Sequence, residues 1–162
     1  MIEIWIDALC DVWATIDTPG FGKVKAPYLI KRTEFPSAIS AKDDFPIALT
    51  IPAKADLQAS AGGPNEGFYS GVTEFHLTPD LSKAHLPSLL PWYGKIWIAA
   101  AANMKLGGLV HNFMLNENDS IVGPVGLKYG DEQEHWGFLV NWTVKEASNP
   151  TVVAGDPSMP NY

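Results

Sequence analysis

From Ile2 to Ile16, apolar side chains recur every three or four positions: Ile2, Trp5, Ile6, Leu9, Val12, Trp13 and Ile16. That spacing stacks them on one face and predicts an amphipathic helix over 2–16. Glu3, Asp7 and Asp11 repeat every four residues on another face, where each like-charged pair repels by roughly a few tenths of a kcal/mol. "DTPGFG" then breaks the chain. The stretch 23–33, "KVKAPYLIKRT", predicts a strand carrying Val24, Tyr28 and Ile30, with Pro27 marking an edge or a bulge. "EFPSAISAKDDFP" predicts a loop, and "FPIALTIP" at 45–52 a short apolar strand, central and buried on both faces. The small, polar, glycine-rich run "AKADLQASAGGPNEG" at 53–67 predicts a long exposed loop. "FYSGVTEFHLTP", 68–79, returns as a strand.

A second helix is expected over 88–105, with Ser88 as N-cap and Pro91 in its first turn. Its buried stripe would be Leu89, Tyr93, Ile96, Trp97, Ala100, Ala101 and Met104. Gly107 offers the left-handed conformation that ends helices, and Lys105 suits the negative end of the dipole. "LVHNFML" after Gly108 reads as a strand. The runs "SIVGPVGLKY" and "EHWGFLVNWTVKE" flank the turn "GDEQ" and predict a hairpin. In its second strand Trp136, Phe138, Val140, Trp142 and Val144 alternate with polar or small residues.

Helices set against one face of a mainly antiparallel sheet bury both stripes, so the fold class is α+β. Residues 1–146 form one domain in this reading, with 147–162 as an extended arm, because "ASNPTVVAGDPSMPNY" has prolines and no periodicity. A chain of 162 residues suits one domain with a proper core.

Composition narrows the function. A net charge of -7 argues against general nucleic-acid binding, which neutralises phosphates with clustered Lys and Arg. Cys10 is the only cysteine, so no intrachain disulfide forms, and its place on the apolar side of a helix predicts a core residue. Glu3, Asp7 and Asp11 stand where a signal peptide needs positive charge, and no apolar run reaches the roughly 18 residues of a membrane span. The expected setting is a reducing cytoplasm, or something assembled there, with no membrane partner.

Catalytic patterns are sparse. Gly107 and Gly108 follow a helix and precede a strand, the reverse of a phosphate loop. His76, His85, His111 and His135 include no ligand pair at helical spacing, so no metal is expected. Ser120 sits in loop context with no nucleophile elbow. Asp43 and Asp44, like "DEQE" at 131–134, are carboxylates in turns, where solvated charge is commoner than acid–base work. No catalytic residue, cofactor or metal site is assigned, and an enzyme is not expected.

The pattern over 2–146 resembles the tail terminator, or tail-completion, proteins of long-tailed bacteriophages. The likeness rests on the N-terminal helix, "FPSAISAKDDFPIALTIP", the long hairpin loop, "LGGLV" after the second helix, and "IVGPVGLKYGDEQEHWGFLVNWTVKE" as closing hairpin. The arm from Ala147 onward goes beyond that pattern. The resemblance implies a virion protein that forms a ring, a hexamer, at the head-proximal end of the tail. Such a ring ends tail-tube growth and joins tail-tube protein to head-completion protein, while DNA passes through its lumen without sequence-specific binding. On this reading Glu3, Asp7 and Asp11 form an acidic stripe facing the lumen. Asp56, Gln58, Asn65, Glu66 and Phe68 belong to a partner-contact loop, and Pro150, Val152, Val153, Pro157 and Tyr162 to an arm laid across the neighbouring subunit. Two other readings compete. One is a different phage neck, connector or tail-tube subunit; the other is a small enzyme or ligand-binding domain with a pocket built from His76, His111 and Trp142.

Overall fold

The computed structural model describes residues 2–30, 36, 44–58, 65–130 and 133–148, the side chains of 65, 147 and 148 excepted. Its first helix, α1 (Ile2–Ala14), follows the apolar period closely. Trp5, Ile6, Leu9, Cys10, Val12 and Trp13 are buried. The 23–33 strand does not form. Asp17–Thr18 (β1) and Gly22–Lys23 (β2) make a minimal hairpin. Beyond it, among the described residues up to Ile30, only Lys25 reaches the main sheet, bridging Ile47 in parallel. Pro27 has no N–H to extend such a ladder. The side chains of α1 hold the segment instead: Tyr28 donates its hydroxyl to Asp11 Oδ1 at 2.6 Å, and Ile30 N–H donates to Asp7 Oδ1 at 3.2 Å.

The main sheet is antiparallel and joins β3 (Ile47–Gln58), β4 (Asn65–His76), β7 (His135–Ser148) and β5 (Asn112–Leu115) in that order, with β6 (Ile121–Leu127) also on β7. The expected central strand at 45–52 is therefore an edge strand. Residues 46–50 are buried all the same, because Lys25 covers that end of the edge: Lys25 N–H donates to Pro46 O at 3.0 Å and Ala48 N–H to Lys25 O at 2.8 Å. The expected loop at 53–67 is mostly strand. After a bulge between Pro52 and Lys54, β3 stays paired with β4 as far as Gln58↔Glu66, and β4 stays paired with β7 as far as Asn65↔Ser148. Backbone pairing needs no apolar side chain, so a polar, glycine-rich composition hid a projecting three-stranded arm. Ala147 and Ser148 likewise end β7 rather than begin an extended arm. The C-terminal candidates Pro150, Val152, Val153, Pro157 and Tyr162 lie outside the described residues.

Strand β7 is the spine of the sheet. Phe138, Val140, Trp142 and Val144 are fully buried, as the alternation predicts. Trp136 is only half-buried, and its indole N–H reaches Ser82 O at 3.0 Å. The hairpin β6–β7 forms around the expected turn, with a bulge between Val122 and Val125.

The second helix is broken. A 3-10 turn at Lys83–His85 leads into α2 (Leu86–Leu89), and α3 (Pro91–Ala102) follows. Ser82 supplies the cap by accepting from Ala84 N–H, whereas Ser88 donates to His85 O. Pro91 lacks the N–H that would tie the two helices together. The buried stripe is Leu89, Trp92, Ile96, Ala99 and Ala100, so Trp97, Ala101 and Met104 face outward. Trp92 sets that rotation: its ring packs against Phe21 at 5.4 Å and Phe75 at 6.3 Å. Tyr93 is half-buried on Phe138 and donates its hydroxyl to Gly123 O. Gly107 (φ 69°) and Gly108 (φ 89°) turn the chain, but α3 has already ended at Ala102.

Helices α1 and α3 lie on the same face of the sheet. Trp5 meets Tyr69 and Trp142 at the arm end, and Trp13 meets Phe75 and Phe113 further along. A smaller apolar cluster of Ile47, Leu49, Phe45 and Tyr129 covers part of the opposite face.

Candidate interaction surfaces

Among the described residues, four places stand out for exposed apolar groups, concentrated charge or buried polar chemistry. The first is the arm. All six residues from Ala53 to Gln58 are exposed, and Leu57 keeps 65% of its surface in solvent. Lys54 pairs with Asp56 at 2.8 Å, while Lys145 pairs with Glu66 at 3.0 Å and lies 5.3 Å from the centre of the Phe68 ring. Asp56, Gln58, Glu66 and Phe68 thus share the arm as expected, but on paired strands. Asn65 also stands in β4, opposite Ser148. Beyond Ala48, no strand among the described residues pairs with the outer edge of β3.

The second is the outward side of α1. Glu3 and Asp11 are exposed and Asp7 is half-buried. Two of these three carboxylates are hydrogen-bonded to the 28–30 segment, so part of the stripe anchors the chain. Glu146 accepts from Trp5 Nε1 at 3.4 Å at the same end. Burial raises the Tyr69 hydroxyl above its ordinary pKa, and Glu146 adds to the shift.

The third lies beside the other edge of the sheet. Trp97, Ala100, Ala101, Met104, Phe113, Met114 and Leu115 line an open groove of about 260 Å³ between α3 and β5. Trp97 is 61% exposed, Met104 48% and Met114 45%, with Ile98 and Leu109 exposed alongside. Sequence reasoning put Trp97 and Met104 in the core. Their exposure was not legible because the helix period fixes spacing but not which of two neighbouring tryptophans, Trp92 or Trp97, turns inward.

The fourth is a buried polar cluster. His76 and His135 are fully buried with ring centres 5.8 Å apart. His76 Nε2 lies 3.0 Å from Glu74 Oε2, and its Nδ1 has no partner. Tyr129 packs against His76 and Phe45 against His135. Burial raises the Tyr129 hydroxyl, with Glu74 a second cause. The two histidines are far apart in sequence, so spacing rules had no way to pair them. Among the described residues, no group of three or more His, Cys, Asp or Glu side chains is arranged to hold a metal.

The pocket of His76, His111 and Trp142 does not exist. His76 is level with Gly137 on β7, while His111 N–H donates to the carbonyl of Lys145, eight residues on, or roughly 26 Å of strand. Trp142 is buried between them under α1. The double glycine carries no anion cradle either. The N–H groups of Leu106, Gly108, Leu109 and Val110 all donate to nearby carbonyls. No helix among the described residues is long and apolar enough to cross a membrane. The chain matches no protein-family model and no curated protein.

Proposed function

We propose that the protein is a structural subunit of a bacteriophage virion that closes into a ring at the head-proximal end of the tail. There it ends tail-tube polymerisation and joins tail-tube protein to head-completion protein, with DNA passing through the lumen. The ring is a hexamer, and the chain is not an enzyme. One observation carries the reading: the sheet offers a projecting arm on one edge and an apolar groove beside the other. Surfaces at opposite edges of one subunit suit head-to-tail contacts, which close into rings or run on as filaments. The acidic side of α1 is the proposed lumen wall, where carboxylates repel DNA rather than grip it. Light scattering of the purified protein, with negative-stain images of the large species, tests this. The expected result is a ring of six with a hole wide enough for duplex DNA. A compact monomer that retains a small molecule overturns it.

A further inference from the structure

We infer that the arm of one copy docks into the α3–β5 groove of a second copy, with Leu57 as the inserted side chain. The inference rests on the self-association in the ring reading and adds which surfaces meet.

Three observations point to this occupant. Shape is the first. Leu57 stands 65% exposed near the end of an edge strand, and the groove opens between Trp97, Met104 and Met114, each itself partly in solvent. A protruding aliphatic side chain and an open aromatic-lined groove are complementary, and contiguous exposed apolar surface of this kind marks association sites.

Placement is the second. Strand β3 and strand β5 are the two ends of the path β3-β4-β7-β5. A contact from the first edge to the second leaves one copy with a free groove and the other with a free arm. The contact repeats in one direction, as a heterologous interface must.

Charge is the third. From Leu81 to Asn116 the chain has no acidic residue, while Lys83, Lys95 and Lys105 are all exposed. Among the described residues, the arm and the adjoining end of α1 carry Glu3, Asp7, Asp56, Glu66 and Glu146 against Lys54 and Lys145. In a chain of net charge -7, that acid-free stretch, which carries the groove, is the complement of the arm end of another copy.

Site-directed cross-linking tests it in the full chain. Cys10 is the only native cysteine and is fully buried, so introduced thiols are the accessible ones. Leu57→Cys and Met114→Cys chains, one carrying a mass tag, are mixed with a short bismaleimide. The expected product is the heterotypic dimer, formed on the order of tenfold or more faster than either homotypic one, and a ladder from the double variant. Trp97→Glu, at an exposed site, keeps the melting temperature and weakens association by roughly tenfold or more. Rings that form with no heterotypic preference overturn the interface and leave the ring reading standing. Preferred Met114→Cys homodimers mean that two grooves face each other, and also overturn it. A protein that stays monomeric at millimolar concentration, with no cross-link, overturns both.

Discussion

Trp142 is fully buried, and its indole N–H donates to Thr73 Oγ1 at 3.1 Å, while Thr73 and Thr50 hydroxyls lie 3.1 Å apart. This chain of hydrogen bonds crosses β7, β4 and β3 beneath α1. Replacing Thr73 by Val keeps the volume and strands the indole N–H without an acceptor. A loss of about 1–3 kcal/mol in urea unfolding is expected. The alternation along β7 showed that Trp142 points inward, but not its acceptor, because Thr73 lies 69 residues away. Gly71 opposes Trp142 for a related reason: a Cβ there would stand 2.4 Å from the indole ring. Cys10 was legible as core, and burial holds its thiol at about 11 instead of 9.0. The folded state therefore keeps its proton after the unfolded chain has lost it. Stability from this group is complete below pH 9, falls as pH rises from about 9 to about 11, and is flat again above. Chemical denaturation across that range should show the fall, and Cys10→Ala should flatten part of it, since Tyr69 and Tyr129 are raised as well.

Elements with a complete period were legible to within a residue or two. α1, β7 and the β6–β7 hairpin all appear where apolar spacing places them. The failures share a cause: local composition was overruled by a partner distant in sequence. Residues 53–58 form strand because β4 supplies the ladder, and β4 in turn is paired along its whole length with β7. Residues 26–30 fail to form strand because α1 supplies carboxylates that accept from them. Tyr28→Phe tests that second statement. Removing a hydroxyl that donates to Asp11 at 2.6 Å in an exposed position should cost only about 0.5–1 kcal/mol globally. Its clearer effect should be local, as faster amide hydrogen exchange over 24–30 with α1 unchanged. Equal acceleration in α1 would mean that the segment and the helix open as one unit. The candidate sites were legible as chemistry but not as geometry. The four-residue spacing marks Asp7 and Asp11 as a carboxylate stripe, yet only the fold shows that both are partly engaged.

At the scale of the whole molecule, charge is divided as sharply as shape. The stretch from Leu81 to Asn116, which carries α3 and β5, holds exposed Lys83, Lys95 and Lys105 and no acidic residue, whereas Glu3, Asp7, Asp56, Glu66 and Glu146 belong to α1 and the strands of the arm. Composition gave the net charge but not this division, since the acidic set comes from four separate elements. If copies meet arm to groove, the division governs how fast they find one another, and the apolar contact governs how long they stay. Salt separates the two. The screening length falls from about 30 Å at 0.01 M to about 8 Å at 0.15 M, so steering between exposed charges weakens steeply over that range. Association followed by stopped-flow light scattering should therefore slow on the order of tenfold as salt rises, while dissociation changes little. Trp97→Glu should show the opposite division, with faster dissociation from loss of the apolar contact. Association that quickens with salt would mean that like-charged surfaces meet, which the arm-to-groove contact does not allow.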